Sequence, residues 1–313
     1  MPSKYLNPFY SLKIVSLDNH LLELIDLYKK NKFPKVLLLS GKKGLGKFTL
    51  VNHFLNWIFS EEEQKTKYDL SKKQINKNSK FYNSILNSTS QEVIFIQAEE
   101  AKNIKIEDIR NLKNTISNTS LVNKPRFIVI DEVEFFNDNS ANALLKTLEE
   151  PTINNFFILI NNQQNEVLQT IASRCLNKNI FLSNTQKKEI KEYLITNNQI
   201  EDIICNQIFL TPGSFLRFND LCNKYKISND DTLNNKITLL LNGFRKDKDK
   251  TIIQLIYHFI DTYFINQINE DVTKSDLLVS IKSNIINDIN NLTKYNLNIT
   301  SVLSSINSKL LNV

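Results

Sequence analysis

The sequence predicts an α/β domain built on a parallel sheet, with an all-helical remainder. Three observations predict it. Up to about residue 183, short apolar runs alternate with segments whose apolar residues recur at helical spacing. The runs are continuous rather than alternating, as strands covered on both faces require. Beyond Leu182 the apolar residues fall at helical spacing alone.

In chain order, Leu21, Leu24, Ile25 and Tyr28 mark a first helix, and Val36 to Leu39 a first strand closed by Ser40 and Gly41. Glu61 to Ser90 is rich in Lys, Asn, Ser, Gln and Glu, which predicts a polar insertion, partly helical at best. Buried strands are predicted at Val93–Ile96, Phe127–Ile130 and Phe156–Ile160, and a last short one at Ile180-Phe181-Leu182. Thr185 to Tyr225 reads as a small helical unit interrupted at Pro212-Gly213. The mixed-sign run Arg245 to Lys250 predicts a solvated loop. Three helical stripes follow, each read as a core-facing side: Ile252, Leu255, Ile256, Phe259 and Tyr263; Leu278, Ile281, Ile285, Ile289 and Leu292; Val302, Leu303, Ile306 and Leu310. The expected division is 1–183 for the α/β domain, with its insertion at about 61–90, then 184–227 and 228–313 for two helical domains.

A chain of 313 residues is long for one core and suits two or three domains. With 41% apolar and 23% charged residues it has a globular composition. The net charge of +6 is compatible with a nucleic-acid or acidic partner without singling one out. Cys175, Cys205 and Cys222 are far apart and no CxxC pair exists, which argues against a zinc site and against a disulfide framework. Met1 to Asn19 has no apolar run behind a basic segment, and no stretch is apolar enough to span a bilayer. The expected compartment is the cytoplasm, with no membrane partner.

Glycine is scarce, with five in the chain, yet three of them fall in Gly41-Lys42-Lys43-Gly44-Leu45-Gly46-Lys47-Phe48-Thr49, directly after the first strand. This is G-x-x-x-x-G-K, the spacing at which backbone N–H groups and a helix N-terminus cradle phosphate while the lysine reaches its terminal oxygens. Gly41, Gly44, Gly46 and Lys47 are therefore candidate nucleotide-binding residues. The next position should carry the hydroxyl that holds magnesium. Here it is Phe48, which has no oxygen. Thr49, a further candidate, lies one residue on and about 100° further around the helix. Full ATPase activity is the least expected outcome. Weak ATP binding without efficient hydrolysis, or a loop kept only for the fold, both remain open.

The strand Phe127 to Ile130 ends in Asp131-Glu132. Such a pair beside a phosphate loop can hold magnesium and polarise a water, although it can also cap the next helix. The acidic turn leads into Ser140-Ala141-Asn142-Ala143-Leu144-Leu145-Lys146-Thr147-Leu148-Glu149-Glu150-Pro151, a helix with Ala141, Leu144, Leu145 and Leu148 on one face, stopped by proline. This block closely resembles the one carried by clamp-loader subunits of the bacterial DNA polymerase III, members of the AAA+ family of P-loop proteins. One strand later, Ser173-Arg174-Cys175 resembles the Ser-Arg-Cys turn of the same family. The resemblance covers roughly residues 5 to 225, and beyond it only the helical pattern agrees.

The resemblance implies an AAA+ domain, a small helical lid and a helical collar that packs subunits into a five-member ring. It implies that Arg174 acts as an arginine finger in the nucleotide site of a neighbouring subunit, a task suited to a planar, permanently charged fork. It places a polar sensor of the terminal phosphate at Asn161 or Asn162, a second sensor near Thr211-Pro212-Gly213-Ser214 with Arg217 as the nearest arginine, and a DNA-facing helix at Lys146 and Thr147. Within the family, Phe48, the lack of any cysteine before Cys175 and the end at Val313 resemble the delta-prime type rather than the motor type, tau/gamma, which carries the hydroxyl and a four-cysteine zinc module. A catalytically active tau/gamma-type ATPase is the alternative. The implied partners are tau/gamma and delta subunits, with the sliding clamp and primed DNA reached through the complex in a cytoplasmic, nucleoid-associated replisome. Weakly bound ATP, with magnesium in doubt and no zinc, completes the expectation.

Overall fold

Five parallel strands form the frame of the first part of the chain. In the computed structural model, which describes residues 4–97, 104–118, 124–204 and 210–311, they are β1 (Val36–Ser40), β2 (Val93–Gln97), β3 (Arg126–Asp131), β4 (Asn155–Asn161) and β5 (Leu176–Asn179). Their order in the sheet is β2-β3-β4-β1-β5, with β1 between β4 and β5. Leu38 lies opposite Leu159, and Val129 opposite Ile158.

Alternate side chains of these strands enter two different cores. Leu37, Leu39, Phe127, Val129, Ile158 and Ile160 pack with the helices α1 (Asp18–Lys29) and α2 (Lys47–Phe59). Leu38, Ile128, Ile130, Phe157 and Leu159 pack with α4 (Ile106–Asn118) and α5 (Asp138–Glu149), the latter through Ala141, Leu144 and Leu148. Both faces being covered, the central strands read as unbroken apolar runs. Fully burying one such side chain contributes on the order of 2 kcal/mol, so the double-sided core dominates the stability of this part.

α5 begins where the sequence switches from an acidic turn to helix. Asn137 accepts from Ser140 N at 2.8 Å while Ser140 Oγ accepts from Asn137 N at 3.2 Å, a reciprocal cap that fixes the helix start. The helix ends at Glu149, two residues before Pro151.

The chain divides into two compact units. The first runs to Asn198 and includes Thr211–Ser214; the second holds Gln199–Leu210 and the chain from Phe215 onward. α7 (Asn184–Asn198) belongs to the first, burying Ile190. In the second, α9 (Leu233–Asp247), α10 (Lys250–Glu270), α11 (Ser275–Tyr295) and α12 (Ile299–Leu310) pack in sequence, and α12 returns onto α9. Of the expected stripes, Ile252, Leu255, Ile256, Phe259, all five residues on α11, Val302 and Ile306 are buried, whereas Tyr263, Leu303 and Leu310 are half-buried. α8 (Pro212–Tyr225) sets the Tyr225 ring against Gly243 of α9, where any Cβ would lie 2.4 Å from the ring.

Three local expectations differ from the structure. The last strand is not Ile180 to Leu182 but the preceding, polar Leu176–Asn179, an edge strand whose apolar content is low because one side faces solvent. The insertion is less peripheral than its composition suggests: α3 (Lys80–Leu86) and the segments before it bury Tyr68, Ile75, Phe81, Tyr82 and Ile85 in the main core. The run Arg245 to Lys250 is mostly helix ends. Lys248 turns left-handed at φ 54°, closing α9, and Asp249 accepts from Thr251 N at 2.8 Å to open α10. The break expected at Pro212-Gly213 falls at a helix start: Pro212 opens α8, as suits a residue with no N–H to satisfy. Cys175 and Cys222 are free thiols, and Cys205 lies outside the described residues.

Candidate functional site

The phosphate-loop segment lies at the carboxyl end of β1 and leads into α2. Gly46 precedes α2 at φ +88° and Gly44 stands at φ +84°, left-handed conformations that favour glycine. Gly44 is doubly constrained, because an added Cβ would lie 2.4 Å from Thr211 Oγ1. The Thr211–Ser214 segment is fastened to the loop: Gly213 N donates to the Gly44 carbonyl at 2.9 Å, and Thr211 Oγ1 to the Lys43 carbonyl at 2.7 Å.

Lys47 is buried and folded onto its own loop, its Nζ donating to the carbonyls of Gly41 at 2.6 Å and Lys42 at 3.0 Å. Burial pushes its ammonium down to about 8, opposed by the charges of Asp131 and Glu134. Asp131, at the tip of β3, is pushed up to about 6 by burial and then by the neighbouring Glu132 charge, while the N–H of Glu132 at 2.8 Å and the amide of Asn162 at 3.1 Å hold it back. Glu132 sits at a left-handed φ of 59° and accepts from Lys43 Nζ at 2.6 Å. Glu134 is buried and accepts from the Asn162 backbone N–H with both oxygens, at 3.0 and 3.1 Å.

Phe48 turns away from this polar cluster. Its ring lies 5.1 Å from Phe9, edge to face, and 5.6 Å from Phe95. Thr49 is half-buried on the first turn of α2. The residues present therefore fit a phosphate, through the glycine turn, the helix N-terminus and Lys47, but not the magnesium ion. The position that would supply a hydroxyl lies in an aromatic cluster, and the acidic side chain of Glu132 is held by Lys43.

Of the residues expected to act together, the structure joins Lys47, Asp131, Glu132 and Asn162 with the loop glycines. It separates the two asparagines: Asn162 serves the acidic cluster, whereas Asn161 donates to Ser40 Oγ at 3.4 Å, on the side of Asn177. Lys43 and Glu134 join the cluster without having been singled out in the sequence, whereas Thr211 belongs to the segment where the second sensor is expected. Glu134 had a signal, three residues after Asp131 in an acidic turn; Lys43 had none, because its partner Glu132 is remote in sequence. Arg217 is exposed, on the part of α8 that belongs to the second unit. Lys146 is exposed and Thr147 half-buried on α5.

Arg174 follows α6 (Gln169–Ala172), and its contacts are with residues outside the loop cluster. Its Nε donates to Glu149 Oε1 at 2.7 Å and its Nη2 to the same oxygen, while Nη1 donates to the Thr170 carbonyl at 2.7 Å. Beside it, Cys175 donates to the Ile171 carbonyl, and burial pushes its thiol up to about 11, which makes it a packing residue and not a nucleophile.

A family model described as DNA polymerase III, delta subunit, matches residues 18–184, more than half of the chain. Among individual relatives, the chain is 25% identical over 136 residues to the DNA polymerase III subunit delta' of Buchnera aphidicola subsp. Baizongia pistaciae (strain Bp), a match covering 42% of this chain and 39% of that protein. It is 27% identical over 141 residues to the DNA polymerase III subunit tau/gamma of Haemophilus influenzae, covering 44% of this chain and 19% of that protein. Each match thus spans well under half of the relative's length. Among solved structures, a DNA polymerase III gamma subunit-related protein from Thermotoga maritima superposes with a TM-score of 0.49 and 17% identity, covering 92% of this chain and 99% of that one. No helix among the described residues is long and apolar enough to cross a membrane.

Proposed function

Since the chain belongs to the family described as DNA polymerase III, delta subunit, we propose that it is a clamp-loader subunit of the delta-prime type, hydrolysing little ATP itself and serving a neighbour's nucleotide site. The observation that carries this reading is Phe48 in its aromatic cluster, where a motor subunit needs a hydroxyl. Two further contacts support it. Lys43 neutralises Glu132, the carboxylate best placed to polarise a water, and Lys47 is spent on the loop's own carbonyls. Nucleotide entering this site would have to recruit Lys47 away from them and would find no ready metal ligand at position 48.

In this reading Arg174 supplies charge to the ATP of an adjacent tau/gamma subunit, and the ring so formed, with a delta subunit, places the sliding clamp on primed DNA. The acidic groups of the chain's own site are then structural, and the helices of the second unit contribute to the collar. A cytoplasmic location goes with this assignment.

The test is a reconstitution with tau/gamma and delta chains. Arg174→Ala should leave co-purification intact while lowering the DNA-stimulated ATPase of the complex, since arginine fingers contribute on the order of a thousandfold in rate. The isolated chain with magnesium and ATP should turn over negligibly. Brisk turnover by the isolated chain would favour a tau/gamma-type motor and overturn the reading.

A further inference from the structure

The pose of Arg174 gives Glu149 a role, one that rests on the finger assignment above. A guanidinium offers five N–H donors in a planar fork. In Arg174, Nε donates to Glu149 Oε1 at 2.7 Å, Nη2 donates to the same oxygen, and Nη1 donates to the Thr170 carbonyl at 2.7 Å and to Ser173 Oγ at 3.3 Å. Four donors are thereby engaged. Gripping phosphate through two parallel bonds requires a whole edge of the fork. Here one edge, Nε with Nη2, faces the Glu149 carboxylate, and the other shares Nη1 with the backbone of Thr170. The arginine cannot serve a phosphate until one of these partners lets go.

Glu149 is the last residue of α5, so the reciprocal cap at Asn137 and the buried Leu144 and Leu148 fix where its backbone stands, and its carboxylate meets Arg174 through Oε1. The pair is not sealed in the core: the side chains of Arg174 and Glu149 are 30% and 45% exposed. To a guanidinium a carboxylate and a phosphate are partners of one kind, since both offer anionic oxygens that accept its N–H groups. Of the two contacts, the Glu149 carboxylate is the one a nucleotide's oxygens can replace like for like.

We propose that Glu149 is a positioning residue that parks the guanidinium as an internal stand-in for phosphate, and that the triphosphate of a neighbouring subunit displaces it when the finger engages. The exchange makes and breaks only ion pairs and hydrogen bonds. A partly exposed pair holds weakly enough to yield: its loss is expected to change an equilibrium by about fivefold, or ~1 kcal/mol at ~1.4 kcal/mol per tenfold. That cost is subtracted from whatever the finger contributes, so removing the latch should raise the efficiency of the neighbour's hydrolysis.

The test uses the full reconstituted complex, with steady-state ATPase measured against ATP concentration on primed DNA and clamp. Glu149→Gln should raise kcat/KM about fivefold. Arg174→Ala should lower it, and the double variant should match Arg174→Ala alone, because without the arginine there is nothing to park. A merely structural role for Glu149 has the opposite sign, since damage to α5 would lower kcat/KM. If Arg174→Ala lowers turnover but Glu149→Gln does not raise it, or if the gain persists in the double variant, the latch is wrong while the finger stands. If Arg174→Ala leaves turnover unchanged, the finger assignment itself fails, and the latch with it.

Discussion

Phe48 places an apolar ring at the loop position where the G-x-x-x-x-G-K spacing calls for a hydroxyl. Its ring joins Phe9, from the amino-terminal segment, and Phe95, from β2, so three distant parts of the chain meet at the position where a metal ligand would stand. Restoring a hydroxyl should therefore damage packing before it restores chemistry. Phe48→Ser is expected to cost about 2 kcal/mol, below the ~3–5 kcal/mol of a fully buried Phe→Ala change because the ring is half-buried. It should not create an ATPase, because Glu132 remains paired with Lys43. A urea titration and a turnover assay on the isolated variant check both statements, and magnesium-dependent hydrolysis would show that Phe48 alone disables the site. The missing hydroxyl is legible in the sequence, since the seven-residue spacing picks out Phe48 as the next position. The Lys43–Glu132 pair is not, because it joins residues 89 apart along the chain, which no local pattern records.

At the scale of elements, the insertion and α2 are tied through a histidine that the sequence did not single out. His53 is fully buried on α2, with Nδ1 2.9 Å from Tyr68 Oη and Nε2 2.9 Å from the Ser11 carbonyl. Burial depresses its imidazole to about 4, the Ser11 carbonyl opposing. A depressed folded value means that the unfolded chain binds the proton first as pH falls. The contribution is whole above the ordinary 6.5 and is lost as pH drops through about 4, a loss of roughly 3 kcal/mol. Asp131 works against it, since its raised value gives stability that is lost as pH rises through about 6. The two overlap, so the informative measurement is the difference in urea stability between the protein and His53→Gln from pH 7 to pH 4. That difference should shrink with acid, and a constant difference would refute the assignment. The insertion's share of the core is hidden in the sequence for a related reason: its buried Tyr68, Ile75, Phe81 and Tyr82 are scattered among Lys and Asn, so periodicity is diluted although each lands in the core. β5 was misplaced because an edge strand needs few apolar residues, whereas Val36–Ser40 and Phe127–Ile130, covered on both faces, were plain.

For the whole molecule, the two compact units differ in how they can stand alone. The first takes Thr211–Ser214 from beyond its own continuous stretch, and that segment holds the phosphate loop through Gly213 and Thr211. A chain ending at Asn198 would lose both bonds. The four helices from Leu233 to Leu310 depend less on what precedes them, since α9 packs on α10, α10 on α11, α11 on α12 and α12 on α9, around Ile237, Leu240, Ile256, Ile260, Ile285, Ile289 and Ile306. α8 adds to this core from outside: without it His258 would lose the Phe218 ring, Gly243 the Tyr225 ring, and Asp247 both Tyr225 and Lys224. A fragment of residues 228–313 is therefore expected to fold, with helical circular dichroism and a cooperative thermal transition. A domain of this size buries only about 60% of the surface its unfolded chain exposes. Its melting temperature should consequently lie below that of the same helices in the full chain, and restoring residues 212–227 should recover part of the difference. A broad, non-cooperative melt would mean that the stripes on α9 to α12 need the rest of the chain to become a core.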